Sequence, residues 1–339
     1  MRIGITGATG FIGSRLALEY LQKGYFVKAF GQENSDAESE NRKYIEARGG
    51  AVAIGSVNDR EAIRDFVAGL DVVYHLAAAQ HEANVPDKTF WDVNVAGTQS
   101  VLEASLNAGV KRLVHGSTIG VYGASLQGRL DEQSPLNPDN IYGVTKLEAE
   151  KIVCSFSEKL DVVIVRISET YGPGDRRLLK LFRGIKKNAF PIIGDGKNIH
   201  HLLYISDLIE GLHLAATTKD AVGRIFVLSG KEALTTAEMI ETVATELGNP
   251  SPRLRLPLQP CLMLATLTEN LCRPIGIQPP LHRRRMDFFR KSYLFSQERA
   301  QRILGFLPRV SFKEGVKETA RWYQAMGYIS AEQLGRSYE

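Results

Sequence analysis

Two groups of residues in this chain have the types and spacing to do chemistry. Tyr142-Gly-Val-Thr-Lys146 sets a phenol and an ammonium four positions apart. On a helix, positions i and i+4 share one face, so both side chains point into the same space. A free phenol ionises near pH ~10. A nearby cation favours the phenolate and brings Tyr142 toward working pH as a general acid/base. The second group is Thr6-Gly-Ala-Thr-Gly-Phe-Ile-Gly13, a glycine-punctuated loop between a β-rich run and a helical one. Gly7 permits a tight turn, Gly10 lets the backbone approach a pyrophosphate, and Gly13 lets the helix pack on the strand. The free N–H groups and positive dipole at the helix start then face the diphosphate. Thr9, Phe11 and Ile12 belong to the same loop and are candidate contacts.

The elements that must hold these groups follow from the patterning. Short β-rich runs begin near Arg2, Phe26, Ala51, Val72, Arg112 and Val162, and helical patterns lie between them. Strands alternating with helices of this length predict right-handed βαβ units and a parallel sheet covered on both faces. The expected class is therefore α/β, a doubly wound parallel sheet with a smaller C-terminal α/β substrate lobe. The texture changes after Tyr171-Gly-Pro-Gly174. This places a nucleotide-binding domain over residues 1–172 and a lobe over 173–339, with the chain free to cross back once.

Composition narrows the function classes. A length of 339 residues suits two domains, or one domain with an appended lobe. With 44% hydrophobic and 24% charged residues, the chain can bury a sizeable core and is not disordered. A net charge of +4 is too mild to argue for nucleic acid. Cys154, Cys261 and Cys272 form no CxxC, which excludes a disulfide scaffold and a Cys-rich zinc site and fits a reducing compartment. His200 and His201 are adjacent rather than at ligand spacing, so no metal is expected. Glycines follow Met1 at once, where a secretory signal would be apolar. The most apolar stretch, Leu254 to Ile277, is broken by Pro257, Pro260, Glu269, Asn270, Arg273 and Pro274, so no membrane span is expected. The expectation is a cytoplasmic protein.

The phrase TGATGFIG, with GxxGxxG spacing, together with YxxxK, resembles the extended short-chain dehydrogenase/reductase superfamily, also called the NAD-dependent epimerase/dehydratase family. The resemblance runs in order along nearly the whole chain. It implies a Rossmann fold, a bound NAD or NADP, and an NAD(P)-dependent oxidoreductase acting at a carbon that bears a hydroxyl or ketone. It also implies roles: Tyr142 as the acid/base, Lys146 bonding the nicotinamide ribose, and Thr118, four residues before Tyr122, bonding the reacting oxygen. Ser117 is the neighbouring hydroxyl and the weaker candidate. Asn94 matches a helix-embedded Asn that orders backbone and a water near Lys146. Leu76, Ala77 and Ala78 match the strand end beneath the cofactor. Gly31 stands where an NAD-selecting Asp would be and Gln32 where an NADP-selecting Arg would be, with Glu33 following. The choice between NAD and NADP stays open.

Substrate class is read from departures. Many relatives act on nucleotide sugars, and their segment ending Tyr-Val-x-Asp carries an Arg where this chain has His200, a poorer phosphate clamp. Glu169 replaces a substrate-binding Asn, whereas Arg284, in Arg283-Arg-Arg285, can bind a diphosphate. Ile119-Gly120 replaces the Asp-Glu of sugar dehydratases, and eliminating water needs that pair. The expected substrate is a small molecule, a nucleotide sugar acted on by an epimerase or reductase. The alternative is a 3β-hydroxysteroid dehydrogenase-like enzyme on an apolar alcohol or ketone, resembled by Leu258–Leu271, Pro279-Pro-Leu281 and Leu304-Gly-Phe306. On that reading Leu262, Met263, Leu264 and Leu267 line a pocket; otherwise they pack the lobe's core. A third class, a non-catalytic dinucleotide-binding regulator, would lack Tyr142 or Lys146, and both are present. Relatives pair through the helices carrying Asn94 and Tyr142, which implies a homodimer.

Overall fold

The computed structural model describes residues 1–80, 85–124, 128–272, 277 and 283–330, and in the last range the side chains from 286 onward. Its frame is one parallel sheet: β1 (Arg2–Thr6), β2 (Phe26–Gly31), β3 (Ala51–Ile54), β4 (Val72–His75), β5 (Arg112–Thr118), β6 (Asp161–Ile167) and β7 (Ile225–Leu228). The order across the sheet is β7-β6-β5-β4-β1-β2-β3. Strand order reverses between β1 and β4, and the crevice of such a sheet opens there, beyond the carboxyl ends of the strands.

Two helical layers cover the sheet, and strand alternation sorts the side chains between them. Tyr74, Val114, Val163 and Val165 face α1 (Phe11–Gln22) in one core. Val73, Leu113, Val162 and Ile164 face α3 (Arg60–Val67) and α4 (Gly97–Asn107) in the other. A central strand buried on both faces must be apolar at every position, as Val72-Val-Tyr-His75 nearly is. Local signals fix where helices begin: Ser35 caps α2 (Asp36–Glu46), and Asn140 caps α5 (Ile141–Ser155) by accepting from Gly143 N at 3.0 Å.

The division at residue 172 does not describe the sheet. Its edge strand β7 comes from residues 225–228, and α7 (Ile205–Thr217) packs Leu208 and Leu212 into the same core as Ile3 and Val163. The chain crosses back to pair β7 with the outer edge of β6, whose backbone N–H and C=O groups take a ladder partner there. The remaining elements form the smaller lobe: α6 (Leu179–Lys186), α8 (Thr236–Glu246), α9 (Leu258–Cys272), α10 (Arg283–Arg290) and α12 (Phe312–Ala325), with α11 (Glu298–Leu304) returning to the sheet. Phe182, Met239, Val243, Val316 and Tyr323 make the lobe's own core.

The interior carries histidines held neutral. Burial lowers His75 to about 3 and His201 to about 4, and pushes His115 well below its usual value. Unfolded histidines take up a proton near pH ~6.5. The unfolded chain therefore binds more protons than the folded one below that pH, and stability falls as pH drops. Each ring contributes up to about 1.4 kcal/mol per pH unit. Urea unfolding between pH 7 and pH 5 should show this slope, and His75→Gln should flatten it by one proton. A stability unchanged over that range would contradict the neutral assignment.

Candidate active site

The glycine loop sits at the end of β1, directly at the reversal of strand order. Gly7 has φ +69°, open to glycine without strain. A Cβ on Gly13 would stand 2.2 Å from the Gly7 carbonyl oxygen, so only glycine lets α1 begin this close to the turn. Gly10 caps α1 in extended conformation without a side-chain partner, and the first N–H groups of a helix have none within it. Thr9 is buried and its carbonyl accepts from Asn41 Nδ2 at 2.8 Å, while Phe11 and Ile12 begin the helix. The neighbouring wall is the loop after β4: Leu76 N donates to Thr6 O at 3.2 Å and Ala77 N to Thr6 Oγ1 at 3.2 Å, with Ala78 half-buried beyond. A backbone-lined cradle closed to any Cβ, at a helix N-terminus, fits the pyrophosphate of a nicotinamide dinucleotide. At the ribose end, Glu33 accepts from Ser39 and pairs with Arg42 at 2.9 Å, so this edge presents an ion pair.

Across the crevice, α5 delivers Tyr142 in its first turn and Lys146 one turn later. Tyr142 shares a hydrogen bond with the Thr118 hydroxyl at the end of β5. Burial raises its phenol above the ordinary value, and the Thr118 bond and the Arg177 charge oppose that rise. Lys146 is buried and points inward: its ammonium donates to His115 Nε2 at 3.1 Å. Burial lowers its pKa to about 8 despite the Glu150 carboxylate one turn on. Arg177 is thus a cation that opposes the rise at Tyr142, whereas the Lys146 ammonium bonds His115. The shared helix face is real, but the longer side chain continues past Tyr142 to the sheet.

Arg177 was invisible to sequence reading. It is fixed by Asp175, donating from Nε at 2.8 Å, and its guanidinium lies 5.8 Å from the Phe11 ring centroid. It thus spans from the cradle to Tyr142 and Glu169. Its sequence neighbourhood, Asp175-Arg-Arg177, carries no spacing that distinguishes it from a surface pair.

Asn94 lies in a π-helical segment, Trp91–Ala96, that leads into α4. The widened turn aims its amide at two places. Its Oδ1 accepts from Ala79 N at 2.7 Å, and its Nδ2 donates to Thr145 Oγ1 at 3.0 Å. Asn94 therefore ties the loop after β4 to α5. Beneath it, His75 bonds Thr6 Oγ1 at 2.8 Å and Thr98 Oγ1 at 2.9 Å, and its ring lies 5.3 Å from that of His115, tilted by 42°.

Of the four substrate candidates, His200 and Glu169 come together, and Ser117 does not. Ser117 is turned away from the crevice, donating to Glu150 at 2.5 Å, because alternate residues of β5 face opposite sides. His200 is buried, with Nδ1 on Glu169 Oε2 at 2.8 Å and Nε2 near Thr236 Oγ1 at 3.1 Å and Phe288 O at 3.0 Å, so no ring nitrogen remains for a diphosphate. Glu169 does face solvent in the crevice, its side chain 38% exposed, and His200 and Arg177 hold its carboxyl below the usual range. Arg284 lies in the first turn of α10, with its side chain outside the described residues. Pro279-Pro-Leu281 lies outside them altogether.

The model of the NAD dependent epimerase/dehydratase family matches residues 3–229, which hold every strand of the sheet, the cradle and the Tyr142–Thr118 pair. The chain belongs to that family. It is an NAD(P)-dependent enzyme of the short-chain dehydrogenase/reductase type. Among solved structures it is similar to UDP-glucuronic acid 4-epimerase from Bacillus cereus, in complex with NAD, at 25% identity and TM-score 0.78, covering 96% of this chain and 99% of that one. Among curated proteins it is similar to a dTDP-glucose 4,6-dehydratase of Streptomyces niveus, 28% identical, covering 96% of this chain and 93% of the relative. It is equally similar to sterol demethylase protein B of Methylococcus capsulatus, 28% identical, over 96% of this chain and 99% of the relative. Among the described residues no helix is long and apolar enough to cross a membrane.

Proposed function

We propose that this member of the family transfers hydride at a hydroxyl- or ketone-bearing carbon of a nucleotide sugar, in both directions in turn as an epimerase or once as a reductase. The observation that carries the reading is the Tyr142 phenol, hydrogen-bonded to Thr118 at the open end of β5 opposite the glycine cradle. When bound, the dinucleotide supplies the hydride acceptor and donor. Thr118 donates to the reacting oxygen and keeps it in line with Tyr142, which takes up and returns the hydroxyl proton. Arg177 favours the phenolate when that proton leaves. Lys146, bonded to His115, would hold the nicotinamide ribose, and Asn94 keeps the wall and the helix in register. Glu169 and Arg177 are the charged groups that meet the substrate.

Ile119 follows Thr118 directly and is buried. No acid stands there to eliminate water, which favours epimerisation or reduction over 4,6-dehydration. A cytoplasmic location and a pair of copies joined along the helices of Asn94 and Tyr142 belong to the same reading; Trp91, 42% exposed beside Asn94, is an aromatic such a pairing would cover. The sterol demethylase relative keeps a second reading in play, an apolar alcohol or ketone as substrate.

The test is product analysis. Purified protein with NAD or NADP is offered UDP- and dTDP-hexoses, and products are separated by ion-pair chromatography and nuclear magnetic resonance. A stereoisomer formed without net cofactor turnover identifies an epimerase. Net cofactor oxidation or reduction with a sugar product identifies a reductase. Conversion only of sterol-like ketones would replace the sugar reading with the second.

A further inference from the structure

Helix α9 exposes what a lobe core would hide. Met263 is 73% exposed, Leu264 53%, Leu267 56% and Leu271 63%. The spacing 263, 267, 271 with 264 alongside places them on one side of the helix. The opposite side is the one that packs: Ala265 is fully buried, and Cys261 and Leu262 lie against Met286 of α10. The four apolar side chains thus neither line a pocket nor fill a core. Leu254 and Ile277, on either side of α9 in sequence, are 61% and 55% exposed.

Charge accompanies this face. Residues 251–291 contain eight Arg or Lys and two Asp or Glu; of the eight, Arg290 and the buried Lys291 are ion-paired with Asp139 and Asp287, and the other six precede or follow α9 in sequence. Arg253 and Arg255 are exposed just before the helix, and Arg283, Arg284 and Arg285 form the first turn of α10, which packs on α9. An exposed apolar helix with a basic surround is the pattern that lies in the plane of an anionic lipid surface, apolar side chains among the acyl chains and cations among the headgroups. A second copy of the chain fits less well, because self-pairing would bring two strongly positive segments together.

We propose that α9 and its basic flanks dock this enzyme on the surface of an anionic bilayer. Phe288 of α10 contacts His200 at 4.6 Å between ring centroids, so the docked face is one helix away from the crevice wall that holds Glu169. The enzyme would then work beside the membrane plane. The proposal does not depend on which substrate Tyr142 serves, since docking is read without turnover.

Flotation of the full chain with vesicles decides it. The protein should float with vesicles of equal parts phosphatidylglycerol and phosphatidylcholine, stay behind with phosphatidylcholine alone, and be released by high salt. Met263→Glu combined with Leu267→Glu should cut the bound fraction by roughly tenfold or more. Both side chains are exposed, so the thermal midpoint of that variant should be unchanged. Absence of flotation with the anionic vesicles, or flotation that the double variant retains, overturns the proposal. A stable dimer in light scattering that the double variant splits would assign the face to a second copy and overturn it as well.

Discussion

Replacing Tyr142 with Phe should lower turnover by about a thousandfold while leaving dinucleotide affinity within a factor of a few. The substitution removes one oxygen and keeps the ring that packs in the first turn of α5. What is lost is the hydrogen bond to Thr118 and the phenol proposed to exchange the substrate's proton. The cradle at Gly7, Gly10 and Gly13 lies across the crevice and is untouched. Single-turnover kinetics with titration of NAD and NADP by fluorescence separates the two effects. Turnover preserved in Tyr142→Phe would remove the phenol from the reaction. Affinity and turnover lost together would point to misfolding instead. Burial holds the phenol above its ordinary value, so the oxidation direction should speed up as pH rises, because it needs the phenolate. Reduction, which needs the protonated phenol, should prefer the lower range.

The second large effect concerns stability. Arg166→Met should destabilise the fold by about 3–5 kcal/mol, the usual result of stranding one member of a buried ion pair. Arg166 and Glu150 are 2% and 3% exposed and paired at 2.8 Å. The guanidinium also donates to Tyr122 OH at 3.0 Å, and Glu150 accepts from Ser117. Without the guanidinium, Glu150 keeps a hydroxyl but loses the countercharge in contact with it, and the Lys146 ammonium lies one turn away on the same helix. Replacing both partners, Arg166→Met with Glu150→Leu, should recover most of the loss, since neither charge then remains in the interior. Urea unfolding of the two single variants and the double variant gives the coupling directly. A single-variant cost below about 1 kcal/mol would resemble an exposed ion pair and would mean that water reaches Glu150.

The two predictions meet on one helix. α5 carries the phenol at its half-buried start, the lysine at its buried second turn and the ion-paired glutamate at its third. One face of one helix thereby changes from solvent-reachable chemistry to structural anchoring within about three turns. Asn94 secures the same helix from the side through Thr145. Movement of α5 would shift Tyr142 relative to Thr118, so damage at Glu150 should also appear as slower turnover.

Local chemistry was legible in the residues themselves. The glycine loop, the i, i+4 pair and the alternation of strands with helices all depend on interactions a few positions apart, which the order of residue types encodes directly. These features sufficed for a doubly wound sheet, a diphosphate cradle and a phenol on a helix. Tertiary structure alone decided where the long side chains ended. Lys146 passes Tyr142 and reaches His115, Ser117 turns inward to Glu150, and Arg177 comes from beyond the sheet's sixth strand to stand by the phenol. It also decided that β7 would come from residues 225–228 and that the apolar side of α9 would face outward. The reason is the same in each case. A periodic pattern states that a face is apolar or that two groups share a side, but the neighbour across the gap comes from distant parts of the chain, and strand order and packing choose it.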